Sequence, residues 1–159
     1  MLSLVLISVA VAVVLVILTK AGTPLFAYRR RELFRSRPLM TDNEIEFFAR
    51  LEKALPDCKV FSQVAMSGVL DVTLPKTHQA YWRVRSAFDR KRMDYVVCTR
   101  EGAHLIAVVE LDDRTHDPQK DANRDAMLAS AGIRTVRFPS HPRPSAMEIR
   151  AEVLGRRAA

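Results

Sequence analysis

Two apolar runs, Met93-Asp94-Tyr95-Val96-Val97-Cys98 and Val108-Val109-Glu110-Leu111-Asp112-Asp113, flank a short stretch containing Gly102 and constrain the fold more than any other feature. β-branched and aromatic residues in short blocks on either side of a turn predict two β-strands. Positions 94 and 110 lie symmetrically about Gly102, so an antiparallel hairpin turning there sets Asp94 opposite Glu110. Strand side chains alternate faces, which puts Asp112 on the Glu110 side and Leu111 on the other. Three carboxylates are then expected at one edge of a sheet, where they repel and a divalent cation relieves them. Asp94, Glu110 and Asp112 are therefore the candidate catalytic acids. Asp94 and Glu110, joined by the Leu111 carbonyl, are the candidate ligands for Mg²⁺ or Mn²⁺.

His116 follows directly and is the candidate general base, since its charge state adjusts near neutral pH. Each of these residues also has a plainer reading. Carboxylates at strand ends commonly face solvent, Asp112 and Asp113 suit a turn, and a single loop histidine is often incidental.

The N-terminus imposes a different constraint. Leu2 to Thr19 contains no charged residue and is rich in Val, Leu and Ile. As a helix it reaches roughly 27 Å, close to the thickness of a bilayer's hydrocarbon core. A cleavable signal peptide carries its Lys or Arg ahead of the apolar run. Here Lys20, Arg29, Arg30, Arg31, Arg35 and Arg37 come after it, which favours an uncleaved anchor. Residues 1–28 are thus expected to form a transmembrane helix and interfacial segment, and 29–40 a basic linker. The charge asymmetry predicts a single membrane pass, with the N-terminus outside and residues 41–155 in the cytoplasm.

Thr41-x-x-Glu44 is a capping-box pattern, followed by the stripe Phe47, Phe48, Leu51 and Leu55, and it predicts a helix ending at Pro56. Val60–Val64 reads as a strand. A further helix is expected from Thr77 or His78 to Phe88, with Trp82 in the core. Asp117-Pro118 opens a helix that Gly132 stops, residues 133–138 form a last strand, and a helix follows from about Ser145 to Leu154. A strand-helix-strand unit after the hairpin implies a right-handed parallel crossover. The expected fold is α/β, a mixed four-stranded sheet flanked by helices in the order αβββαβ.

The formal charge is +7, which suits nucleic acid or anionic lipid as readily as a solvated basic face. Arg83, Arg85, Lys91, Arg124 and Arg137 are the candidate phosphate contacts. Cys58 and Cys98 stand far apart without a Cys-x-x-Cys pair, so a cysteine zinc site has no support. The absence of a Walker sequence, a Gly-rich dinucleotide loop and a nucleophilic-serine signature excludes the common nucleotide and acyl-transfer chemistries.

Several dispersed motifs together resemble a known bacterial family. They are Leu39-Met40-Thr41 with Glu44, Phe61-Ser62-Gln63-Val64, Phe88-Asp89-Arg90-Lys91, Asp94-Tyr95-Val96 and Val109-Glu110-Leu111-Asp112. They resemble the domain-of-unknown-function family numbered 2726, over roughly residues 38–140. The element order, and the run from Val109 to His116 with Arg124-Asp125 and Ala131-Gly132-Ile133, resemble the PD-(D/E)XK restriction-endonuclease-like superfamily in its very-short-patch-repair-like branch. The superfamily resemblance implies divalent-metal phosphodiester hydrolysis, chiefly of DNA. It also implies a place near the metal for an acid on the first helix, here Glu44. Gln63 on the first strand is a candidate to face the cleft, its plainer reading being a partly buried hydrogen-bonded amide. One departure stands out: Asp112 occupies the position of the usual lysine. His116, Lys120 and Lys91 are the candidates to replace it. The alternative function is an inactive nucleic-acid-binding or membrane-surface module that retains the fold.

Overall fold

The computed structural model describes residues 7, 9–14, 16, 33–102, 104–112 and 118–155, excepting the side chains of 118–121. It divides into two compact units, Met1–Pro38 and Leu39–Ala159. In the first unit the described residues between 7 and 16 are helical. Ile7, Val9, Val11, Val13, Val14 and Val16 are each more than half exposed. Among the described residues no helix is long and apolar enough to cross a membrane. The rest of the expected 1–28 anchor lies outside the described residues. Residues 33–38 carry no helix or strand and are exposed.

The second unit is α/β. In chain order it contains α1 (Asp42–Ala54), β1 (Cys58–Ala65), α2 (Tyr81–Ser86), β2 (Arg92–Thr99), β3 (Leu105–Asp112), α3 (Pro118–Ser130), β4 (Thr135–Pro139) and α4 (Ala146–Leu154). The strands form one sheet ordered β1-β2-β3-β4. β1 and β2 pair antiparallel, as do β2 and β3. β4 joins β3 in parallel through the α3 crossover, so the sheet is mixed as expected.

Local sequence explains most element ends. Thr41 Oγ1 accepts from the Glu44 amide while the Glu44 carboxylate accepts from the Thr41 amide, starting α1 with a reciprocal cap. Ser145 and Glu148 repeat the device at α4. Gly132 stops α3 at φ 73°, in the left-handed region that a Cβ disfavours. No neighbour crowds that position, so Gly132→Ala isolates the backbone term. It is expected to lower stability by about 1 kcal/mol, read as a shift in the chemical denaturation midpoint without a change in slope.

Each sheet face has its own core. On one face, Phe47, Leu51, Ile149 and Val153 of α1 and α4 pack against Tyr95, Val97, Val109, Val136 and Phe138. On the other, Val96 and Val108 meet Leu128 of α3, Phe88 and Met66. Alternation along β2 and β3 distributes these residues between the layers. The expected helix around Trp82 is shorter than its pattern suggested, a turn and a half from Tyr81 to Ser86. Trp82 is not core: it is 66% exposed, because its neighbour Tyr81 takes the inward position.

Candidate functional site

The two central acids meet where β2 and β3 part. Tyr95 pairs with Val109, and the same register sets Asp94 beside Glu110, as symmetry about Gly102 requires. The ladder slips between Val97 and Cys98, where Cys98 pairs with Leu105. That bulge lies on the turn side and shifts the ladder into the register that sets Asp94 beside Glu110. Beyond Tyr95 the strands fork. The Leu111 amide donates to Asp94 Oδ2 at 3.0 Å, so a side chain takes the place of a ladder carbonyl. A strand residue's N–H and C=O leave on the same edge, so the Leu111 carbonyl also opens toward β2.

Glu110 sits near a strand end yet is only 1% exposed. Helix α3 buries it. Arg124 lies one helical turn before Leu128, which is fully buried against the sheet, so both belong to one stripe. Arg124 Nη2 reaches Glu110 Oε2 at 2.9 Å. The other oxygen, Oε1, is buried and accepts no hydrogen bond from any described residue. Burial, and then the negative charge of Asp94, push the Glu110 carboxyl up to about 8 against the pull of Arg124 and Arg137. A carboxyl that holds its proton into the neutral range is uncommon, and such carboxyls concentrate at functional sites.

Asp112 behaves differently from the expected third member of an acid cluster. Arg137 Nη1 binds Asp112 Oδ1 at 2.8 Å. The other edge of the same guanidinium grips both oxygens of Asp125, at 3.1 and 3.2 Å. Among the described residues no group of three His, Cys, Asp or Glu side chains is placed to hold a metal ion. The physical reason lies in the parallel crossover. It sets Arg137 of β4 in register with Glu110, and the hydrogen-bonding reach of arginine extends to Asp112 two residues on. Burial opposes the charge on Arg137, yet Asp125 and Asp112 outweigh it and hold the proton more tightly than usual.

The remaining candidates divide. Glu44 is a cap, and it also ties two strands to α1. Its carboxylate accepts from Gln63 Nε2 at 2.9 Å, and its carbonyl accepts from the Tyr95 hydroxyl at 2.7 Å. Burial, aided by Asp94 and Glu44, pushes the Tyr95 phenol well above its ordinary range, so it stays a donor. Gln63 has a left-handed backbone, φ 53°, in β1 between Ser62 and Val64, whose ladder partners Tyr95 and Met93 flank Asp94. A non-glycine residue there stores backbone strain. Arg85 is engaged by Asp71 and Asp89, whereas Arg83 is exposed. Lys91 is half-buried, and its carbonyl accepts from the Met66 amide. Arg124 and Arg137, expected to meet phosphate, instead meet Glu110, Asp112 and Asp125. His116 and the Lys120 side chain lie outside the described residues.

Sequence reasoning missed the Arg124–Glu110 pair and the role of Asp125. The spacing of Arg124 and Leu128 on one helical stripe was the available signal. No curated protein and no solved structure gives a significant match to this chain. Residues 36–156 match the family model described as "Protein of unknown function (DUF2726)". A match spanning most of the chain places the protein in that family, and the chain is a member of DUF2726.

Proposed function

We propose that residues 41–155 form a divalent-metal-dependent nuclease-like domain of the PD-(D/E)XK kind, hydrolysing phosphodiester bonds in DNA. The observation that carries this reading is buried Glu110, with an oxygen that accepts no hydrogen bond from any described residue, beside Asp94. Placing the half-buried Asp94 beside a buried carboxylate is unfavourable unless positive charge offsets it, and Arg124 meets only one of the two Glu110 oxygens. Asp94, Glu110 and the Leu111 carbonyl offer hard oxygen donors, the set that Mg²⁺ and Mn²⁺ accept. Such a cation, when bound, supplies Lewis acidity and a water activated for attack on phosphorus.

The chain's own residues carry the rest. Asp94 is oriented by the Leu111 amide, and Glu110 by Arg124. Asp112 stands where the superfamily has lysine, and no carboxylate stabilises developing negative charge. Arg137, held against Asp112, brings a permanent positive charge to that end of β3. A guanidinium stabilises charge but is a poor general base, so the base falls to His116 or to bulk water.

The test is cleavage of plasmid and oligonucleotides by the full chain in Mg²⁺ or Mn²⁺. Glu110→Gln and Asp94→Asn are each expected to lower cleavage more than roughly a hundredfold, beyond the typical effect of losing a supporting residue. Unchanged cleavage in both variants would reject the assignment. One observation favours a second reading, a non-catalytic nucleic-acid-binding module: arginines already engage Glu110 and Asp112. Salt-sensitive binding without cutting, retained in Glu110→Gln, is its signature.

We also propose that residues 1–28 anchor the protein in the bacterial inner membrane, N-terminus out, with the domain in the cytoplasm. The apolar helical residues near the N-terminus, each more than half exposed, support lipid surroundings. A topology reporter fused after Ala159 checks this; activity only on the outer side would overturn it.

A further inference from the structure

Trp82 is the chain's single tryptophan, and it stands on α2 away from either core. Its neighbour Tyr81 is buried, and the two rings meet nearly perpendicular at 5.0 Å between centroids. That contact anchors the indole while two-thirds of the residue remains in solvent. Val84, a little further along the helix, is also exposed at 41%. An exposed indole leaves apolar area that a stacking partner would cover.

The surrounding charge says which partner. Residues 71–92 contain six Lys and Arg against two Asp. Both aspartates lie against one residue, Arg85, at 3.5 and 3.3 Å. Lys76, Arg83, Arg90 and Arg92 are exposed, and no described acid pairs with them. The chain then turns tightly, with the Lys91 amide donating to the Phe88 carbonyl, and enters β2 two residues before Asp94. Along the chain, the exposed indole thus belongs to a basic segment that runs directly into β2 and the fork holding the acids.

We propose that Trp82 is a base-stacking platform for single-stranded nucleic acid, whose phosphates lie along Arg83, Arg90 and Arg92. Positive charge alone would serve a duplex equally well. The indole discriminates, because base faces are available for stacking only where a strand is unpaired. The proposal rests on the nucleic-acid reading of the domain and narrows it to a strand type and a path.

Since Trp82 is the only tryptophan, selectively excited tryptophan emission reports this surface alone. The full chain is titrated with a labelled thymidine oligonucleotide and with a duplex of equal length, without divalent cation. Tryptophan emission and label anisotropy are followed together. Single strand is expected to quench Trp82, and duplex to bind without comparable quenching. Trp82→Ala is expected to weaken single-strand affinity about tenfold, with Trp82→Phe recovering part of the loss. The position is exposed, so both variants keep the fold, which circular dichroism verifies. Anisotropy showing tight single-strand binding with unchanged Trp82 emission overturns the platform while the nucleic-acid reading survives. No binding of either oligonucleotide overturns both. Quenching by polyglutamate or anionic phosphatidylserine vesicles but not by oligonucleotide assigns the surface to another polyanion and also overturns it.

Discussion

Without divalent cation, the protein is expected to lose stability as the pH rises from about 4.5 to about 8, and Glu110→Gln to abolish most of that loss. The sign follows from the direction in which burial moves this carboxyl. In the fold it titrates at about 8 instead of 4.5, so between those values the fold binds a proton that the unfolded chain has released. The associated stability is complete below about 4.5 and is lost as the pH rises through 8. Each pH unit between the two values is worth about 1.4 kcal/mol, so the whole span is on the order of 4 to 5 kcal/mol. Glutamine keeps an oxygen for Arg124 and has no proton to lose. The difference between wild-type and Glu110→Gln stability curves isolates this residue from every other titrating group.

The same experiment probes the proposed cation. A divalent ion binds the ionised carboxylate, so its effect should grow toward pH 8. At a hundred times its dissociation constant it restores about 2.7 kcal/mol. Mg²⁺ or Mn²⁺ should therefore raise the melting temperature of the wild type at pH 8 and leave Glu110→Gln nearly unchanged. Parallel pH curves for the two proteins, or equal responses to the ion, would strip the buried acid of this role.

The second large effect is expected in the other core, at Phe47. This ring has no exposed surface. Its centroid lies 5.7 Å from those of both Tyr95 and Phe138, and the Arg143 guanidinium sits 5.9 Å above it. Phe47 thus joins α1 to β2 and to β4. Phe47→Ala is expected to cost about 3 to 5 kcal/mol, from lost burial plus the cavity it leaves. For a domain of this size that is roughly a 10 to 20 °C fall in melting temperature. Phe47→Leu should cost much less. A loss below about 1 kcal/mol for the alanine variant would mean that α1 repacks. Tyr95 adjoins Asp94 and holds the Glu44 carbonyl, so loosening α1 should also perturb the fork between the strands.

Local chemistry made much of the fold legible. Thr41 and Glu44 announce α1 because a reciprocal cap needs only residues three apart. Gly132 marks the end of α3 because only a residue without Cβ enters the left-handed region cheaply. Trp82 shows where such reasoning fails. Aromatic residues usually mark a core, but adjacent Tyr81 and Trp82 compete for one inward position on a short helix. The sequence pattern does not say which of them prevails.

That β2 and β3 pair as a hairpin, with Asp94 on one strand and Glu110 on the other, was legible in the sequence through Gly102 and the period-two alternation of short strands. The register beside the acids also depends on the bulge between Val97 and Cys98. Only the tertiary structure decided what those acids face. Arg124 and Asp125 arrive on a helix, and Arg137 on a strand added by a parallel crossover, each distant in sequence from at least one of its partners. Pairing of two strands across a short turn is a local property. Ion pairing across a sheet depends on how a helix is laid over it, and the packing of Leu128 in the core sets that placement.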